Sequence, residues 1–291
     1  MATQLRLFEE SDLIQQVGLD SCLWQGSFNG SESSLHQLSP YVGKLKSEMV
    51  NVLLTLYSKP GEVVLDPFCG SGVVPLEALL SGRIAYANDL SPYAHALTQA
   101  KIEAPAHKSD ALDAAYRLID KVVLEAPKID LASVPDWVRE FFHPKTLQEV
   151  MAAFVFLRDE PHPFLTGCLL GILHHVRPGF LSYPASHLVP YLRKTKYPPE
   201  VYPEMYTYRD LRSRLLAKVE RAYRRAHLPV EWDQRQYRLW QINAMSLPID
   251  NETVDAVVSS PPYFGALDYA RDNRLRLCYS KPIRRLSTYN K

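Results

Sequence analysis

Residues 62–72 read Glu-Val-Val-Leu-Asp-Pro-Phe-Cys-Gly-Ser-Gly, and the reading of this stretch decides the fold. Glu62 to Leu65 is a short apolar run rich in β-branched residues. It is too short for a helix and reads as a buried strand. It ends at Asp66 and runs into a glycine-rich turn. Glycines there let the backbone turn tightly and approach a ligand, and the next helix offers free N–H donors at its start. The spacing predicts that helix over Val73 to Leu80, closed by Ser81-Gly82. A second strand, Arg83 to Asn88, meets Asp89, and a second helix is expected from Pro92 to Ile102. Strand, helix, strand and helix with short connections are the signature of a parallel sheet.

Upstream, residues 1–39 are polar and irregular, an N-terminal extension in which GSFNGSESS reads as loop. Pro40 opens a helical pattern carrying Val42, Leu45, Met49, Val52, Leu53 and Leu56, which Lys59-Pro60-Gly61 stops. Downstream, helices are expected over Asp110 to Glu125, Leu147 to Arg158, Phe164 to Val176 and Leu211 to His227. Between the last two lies a Pro/Tyr-rich stretch, Ser182 to Tyr208. Two strands return at Tyr237 to Ile242 and Val254 to Ser259. The expected architecture is a doubly wound, mostly parallel α/β core over 40–104 and 236–291. A helical insertion over 105–235 interrupts it as a subdomain or lid.

The 291 residues suggest one or two domains at about 150 residues each. With 46% hydrophobic and 22% charged residues, the chain is neither disordered nor a coiled coil. No apolar run reaches the roughly 18 residues needed to span a bilayer, so no membrane role is expected. The opening MATQLRLFEESDLIQQ carries acids where a signal peptide needs a basic and then an apolar run, which points to the cytoplasm. Cys22, Cys69, Cys168 and Cys278 are scattered without a CxxC pair, and neither a zinc site nor a disulfide framework is expected. The net charge is only +1, yet residues 209–238 hold eight Arg and one Lys against four acids. Residues 271–291 hold seven basic residues against one acid. Such sectors suit a polyanionic partner or are solvated helix faces.

DPFCGSG is not a P-loop, since no Gly-Lys-Ser/Thr follows, and it is not the GxGxxG of nicotinamide binding. Asp89 ends the second strand about twenty residues after the glycines, where an acid can accept hydrogen bonds from ribose hydroxyls. The same position suits an N-cap of the next helix. The second constellation is SSPPYFG, Ser259 to Gly265. Two prolines stiffen the backbone at the carboxyl end of a strand, where open α/β sheets bind ligands, and an aromatic follows directly.

DPFCGSG, then NDLSPYA, then INAMSLPIDNETVDAVVSSPPY together resemble the amino-methyltransferases that modify N4 of cytosine or N6 of adenine in DNA. The resemblance covers about residues 38–103 and 236–277. It implies a class I methyltransferase fold and S-adenosylmethionine as cofactor. Asp66, Phe68, Gly70 and Gly72 would line the methionine end, Asp89 would take the ribose, and Asn243 and Ala244 the adenine. Ser260, Pro261, Pro262 and Tyr263 would be catalytic, and SPYVGK, Ser39 to Lys44, is similar to a further cofactor-side block. A base inside double-stranded DNA is out of reach and must be flipped out, with Tyr263 and Phe264 stacking on it. On the helix from Leu211, Arg214, Lys218, Arg221 and Arg225 recur at four-, three- and four-residue spacing, a stripe that suits phosphate contacts in a target-recognition region. The rival enzyme class is guanine-N2 methylation of RNA. The family's sheet has seven strands, and the sequence runs 28 residues past Tyr263, whereas three more strands with helices need about 60 or more. The expectation is therefore a second chain that completes the sheet, or a shortened cofactor- and DNA-binding remnant.

Overall fold

The computed structural model describes residues 32–175, 177, 179–184, 190–262 and 273–280. The sheet has four parallel strands in the order β3-β2-β1-β4: β1 (Val63–Asp66), β2 (Ile84–Asn88), β3 (Tyr237–Trp240) and β4 (Ala256–Val257). Val64 sits opposite both Ala85 of β2 and Ala256 of β4, at the point where the strand order reverses. In open parallel sheets that switch point is where ligands bind. This is the α/β architecture expected of a class I methyltransferase.

The first helices follow the sequence pattern closely. Helix α1 (Ser47–Tyr57) precedes β1, α2 (Val73–Leu80) links β1 to β2, and α3 (Pro92–Ile102) follows β2. Ser91 caps α3 through its hydroxyl, which accepts from the Ala94 N–H, and Pro92 supplies the fixed first-turn φ. Helix α1 starts later than the periodicity from Pro40 suggests. Gly43 takes φ +77° and Lys46 is extended, so residues 40–46 form an irregular approach rather than a helical turn. The last strand is also shorter than expected, although Asp255 and Val258 still donate their N–H groups to the Val63 and Leu65 carbonyls.

The segment after α3 is helical, as its composition predicts: α4 (Lys108–Glu125), α5 (Asp136–Arg139), α6 (Pro144–Asp159), α7 (Pro163–Leu173), α8 (Pro190–Lys196) and α9 (Leu211–Tyr223). Helix α10 (Arg274–Ser280) comes last among the described elements. One hydrophobic cluster runs from Val64 and Ala85 of the sheet through Leu97 of α3 to Leu169, Leu170 and Leu215 of the inserted helices. The contact is close because α7 presents Gly167 and Gly171 to its neighbours. A Cβ at Gly167 would lie 2.3 Å from the Ala100 Cβ, and one at Gly171 would lie 1.9 Å from the Leu38 carbonyl oxygen. The end of the stretch expected to be an irregular extension is structural too. Ser34–Gln37 form a 3-10 turn, Leu35 and Leu38 are fully buried, and the Ser33 and Ser34 hydroxyls donate to the Ala226 and Ala222 carbonyls at the end of α9. The seryl side chains thus satisfy carbonyls that have no partner within a helix. Among the described residues no helix is long and apolar enough to cross a membrane.

Candidate active site

A cleft of about 620 Å³ opens at the carboxyl ends of β1 and β4. It is lined from one side by Asp66, Phe68, Gly70 and Ser71 of the glycine turn, and from the other by Ser260 and Pro262. Asp89 to Pro92, Tyr41 and Gly43 to Leu45 complete the lining. Its volume lies in the range of small-molecule sites, about 300–1,000 Å³.

The turn is held open by partners far away in sequence. Gly70 takes φ +50° and donates its N–H to Asp89 Oδ2 at 2.9 Å, while its carbonyl accepts from the Thr98 hydroxyl at 3.2 Å. Gly72 takes φ +72°, and a Cβ there would meet the Thr98 backbone at 2.9 Å. Gly72 therefore lets α2 and α3 approach each other and does not line the cleft. Fully buried Lys101 donates to the Ser71 carbonyl, and burial pushes its ammonium down to about 7. Thr98 and Lys101 were not legible as site residues. Read along α3 they look like ordinary polar positions, and only the packing of α3 behind the turn aims them at its carbonyls.

Asp66 joins the two halves of the cleft. Its Oδ1 accepts the Phe68 N–H at 3.1 Å and the Ser259 hydroxyl at 2.6 Å, so β1 and the start of the Ser-Pro-Pro segment share one carboxylate oxygen. Burial pushes its carboxyl up to about 7, opposed by those two donors. Because the folded value lies above the unfolded one, the stability that this group contributes is complete at low pH and is lost as pH rises through about 7. Asp66→Asn keeps the acceptor oxygen and removes the titration. Wild-type protein should lose stability relative to Asp66→Asn, by up to about 4 kcal/mol between pH 4 and pH 8. Urea unfolding across that range measures it, and parallel pH curves for the two proteins would refute it.

Asp89 accepts the Ser91 N–H on Oδ1 at 2.8 Å besides bracing Gly70, and burial raises its carboxyl. Ser91, not Asp89, caps α3. Cys69 is buried and its thiol is pushed up by burial, as expected of a small packing residue rather than a nucleophile. Asn243 and Ala244 follow β3 in a short 3-10 turn, where the Asn243 side chain accepts from the Met245 N–H. They are not among the residues that line the cleft. Tyr263 and Phe264 lie outside the described residues. Leu277 of α10 reaches the cleft wall, anchored by Arg276, whose guanidinium donates to the Leu170 and His174 carbonyls at the end of α7.

The basic stripe on α9 does not hold as a set. Lys218 falls in the same buried stripe as Leu211, Leu215 and Ala222, is 8% exposed, and donates Nζ to the Gln37 carbonyl at 2.8 Å. It is turned away from any phosphate. Arg214 pairs with Asp210 at 3.2 Å, Arg225 is half-buried, and Arg221 alone of the four is exposed. A four-three-four spacing describes either face of a helix, and only the packing shows which one is inside. The tyrosines of the Pro-rich stretch mostly pack on one another. Tyr183 and Tyr206 lie 5.0 Å apart with the Arg193 guanidinium over both rings. Among the described residues no group of His, Cys, Asp and Glu is arranged to hold a metal ion.

The parallel sheet, the glycine turn after β1 and the cleft at the switch point are consistent with a class I methyltransferase-like fold. Residues 21–100 match the N6/N4 family model described as a DNA methylase, so the resemblance to the N4/N6 amino-methyltransferases of DNA is shown in this part of the chain. A curated relative is the type II methyltransferase M.MjaII of Methanocaldococcus jannaschii, 28% identical over 69 residues. That alignment covers 24% of this chain and 13% of the relative's length. No solved structure matches the chain.

Proposed function

We propose that this chain methylates an exocyclic amine of a flipped base in double-stranded DNA, N4 of cytosine or else N6 of adenine, with S-adenosylmethionine as donor. The observation that carries the reading is the convergence of the glycine turn with Ser260 and Pro262 on one cleft. The residues present fit the cofactor. Gly70 at positive φ presents bare backbone to the cleft, the buried Ser71 hydroxyl has no hydrogen-bond partner, and two carboxyls, Asp66 and Asp89, border a space for a cationic ligand. Asp66 would face the methionine end, Asp89 the ribose, and the Asn243–Ala244 segment the adenine.

S-adenosylmethionine, when bound, supplies an electrophilic methyl group. The chain's task is then to make a poor nucleophile competent. The lone pair of an exocyclic amine is delocalised into its ring, and an acceptor gripping the NH2 group favours a pyramidal nitrogen. The Ser260 side chain and the Pro261 carbonyl serve that purpose, so positioning and electrostatics carry the rate. Exposed Arg221, with exposed Arg224 just past the end of α9, supplies phosphate contacts.

Mass spectrometry of nucleosides from DNA and RNA exposed to the protein tests this reading. Methylcytosine or methyladenine in DNA is the expected product, and N2-methylguanine in RNA alone would replace it with the rival class. Asp89→Ala should weaken cofactor binding about tenfold by calorimetry, because a charge-assisted hydrogen bond is lost along with the brace on Gly70. Unchanged affinity would remove Asp89 from the site.

A further inference from the structure

Asn88 closes β2, is 1% exposed, and ties together two loops that leave non-adjacent strands. Its Nδ2 donates to the Pro67 carbonyl at 3.1 Å, in the turn after β1, and to the Ile242 carbonyl at 3.1 Å, in the loop after β3. Its Oδ1 accepts the Ile242 N–H at 3.1 Å, and its own carbonyl accepts the Cys69 N–H at 2.9 Å. The role requires an amide of this length. Two donors and an acceptor act at once, which a carboxylate lacks and a hydroxyl cannot span.

The geometry also dictates what is fixed. The Ile242 N–H and carbonyl belong to the two peptide planes on either side of that residue, and both are gripped. A trans peptide is rigid, so holding the Ile242 carbonyl points the Asn243 N–H the opposite way, away from Asn88. The direction of the Asn243–Ala244 backbone is thereby set from the same residue that steadies the glycine turn.

We infer that Asn88 is a positioning residue that sets the Ile242–Ala244 segment against the glycine turn and so governs recognition of the base end of the bound nucleoside cofactor. This rests on the function proposed above. Without the amide the Ile242–Ala244 segment loses its direct side-chain link to the turn, which keeps only its main-chain bond to the Asn88 carbonyl. The methionine end, held by Asp66 and the turn itself, depends less on this link.

The test compares S-adenosylhomocysteine with S-inosylhomocysteine by titration calorimetry on the full chain. Hypoxanthine replaces the amino donor of adenine with a carbonyl oxygen, so the ratio of the two affinities reports how well the base edge is read. Wild-type protein should prefer the adenosyl ligand by about tenfold or more, since a site built to pair a donor rejects the analogue lacking it. Asn88→Ser should weaken adenosyl binding about tenfold and bring the ratio to about twofold or less. A ratio that survives Asn88→Ser, with or without a uniform loss of affinity, is the mark of a merely structural residue and overturns the inference. So does wild-type protein that binds both ligands equally. Wild-type protein that binds neither overturns the proposed function and this inference with it. Should Asn88→Ser lack a cooperative melt, Asn88→Asp, which keeps the volume and one acceptor, decides by the same ratio.

Discussion

Gly171→Ala should destabilise the protein by about 3 kcal/mol or more and lower Tm by about 10 °C. The new Cβ would sit 1.9 Å from the Leu38 carbonyl oxygen and 3.1 Å from Lys218 Cε. The first of these is backbone, belonging to a segment whose seryl side chains are already committed to the end of α9. It has no rotamer into which to retreat, so relief requires moving α7 away from the residues around Leu38. Gly167→Ala meets Ala100 Cβ at 2.3 Å and the Leu38 side chain at 2.9 Å. The flexible end of Leu38 can give there, but the Ala100 Cβ, fixed to the backbone of α3, cannot. The cost should therefore stay large, and be smaller than at Gly171 only because the overlap is less severe. Differential scanning calorimetry of both variants gives the ranking. A Gly171→Ala protein that melts within about 2 °C of wild type would show that α7 does not pack as described.

Ser260→Ala should slow methyl transfer about hundredfold while leaving cofactor affinity within about twofold. The serine hydroxyl is the side-chain acceptor of the Ser-Pro-Pro segment, half-buried at the cleft wall. The interaction assigned to it strengthens only as the amine pyramidalises. Such an interaction lowers the barrier without adding to ground-state binding, so its loss falls on kcat. Ser259 provides the contrast. Its hydroxyl is spent on Asp66 at 2.6 Å, so it serves the geometry of the cleft rather than the amine. Single-turnover transfer from labelled cofactor to DNA, alongside calorimetric affinity, separates the two effects. A rate loss under about threefold would take Ser260 out of the reaction.

The α/β core was legible because its signals are local. A β-branched run stopped by Asp66, a glycine turn, the Ser91-Pro92 helix start and a second strand each act within a few residues, and α2 and α3 run over the expected residues. Asp66, Phe68, Gly70, Ser260 and Pro262 do line one cleft, although nearly two hundred residues separate its two halves in sequence. What local signals do not carry is the identity of the inward face. Lys218 and Arg214 share the spacing of a solvent-facing stripe, yet the helix turns Lys218 under Gln37 because Leu211, Leu215 and Ala222 bury the same side. Gly72 looks like a ligand-binding glycine and is instead the contact point between α2 and Thr98.

By itself the sequence determined the order of strands and helices, the glycine turn and the chemical types at the cleft, since strand, turn and cap preferences are set by neighbouring residues. The tertiary structure decided the rest. It showed that the inserted helices share a core with the sheet, that Ser33 and Ser34 close α9, and that Asn88, Thr98 and Lys101 brace the turn. Each of those depends on side chains meeting across 21 to 193 positions of sequence, where only packing fixes which groups face each other.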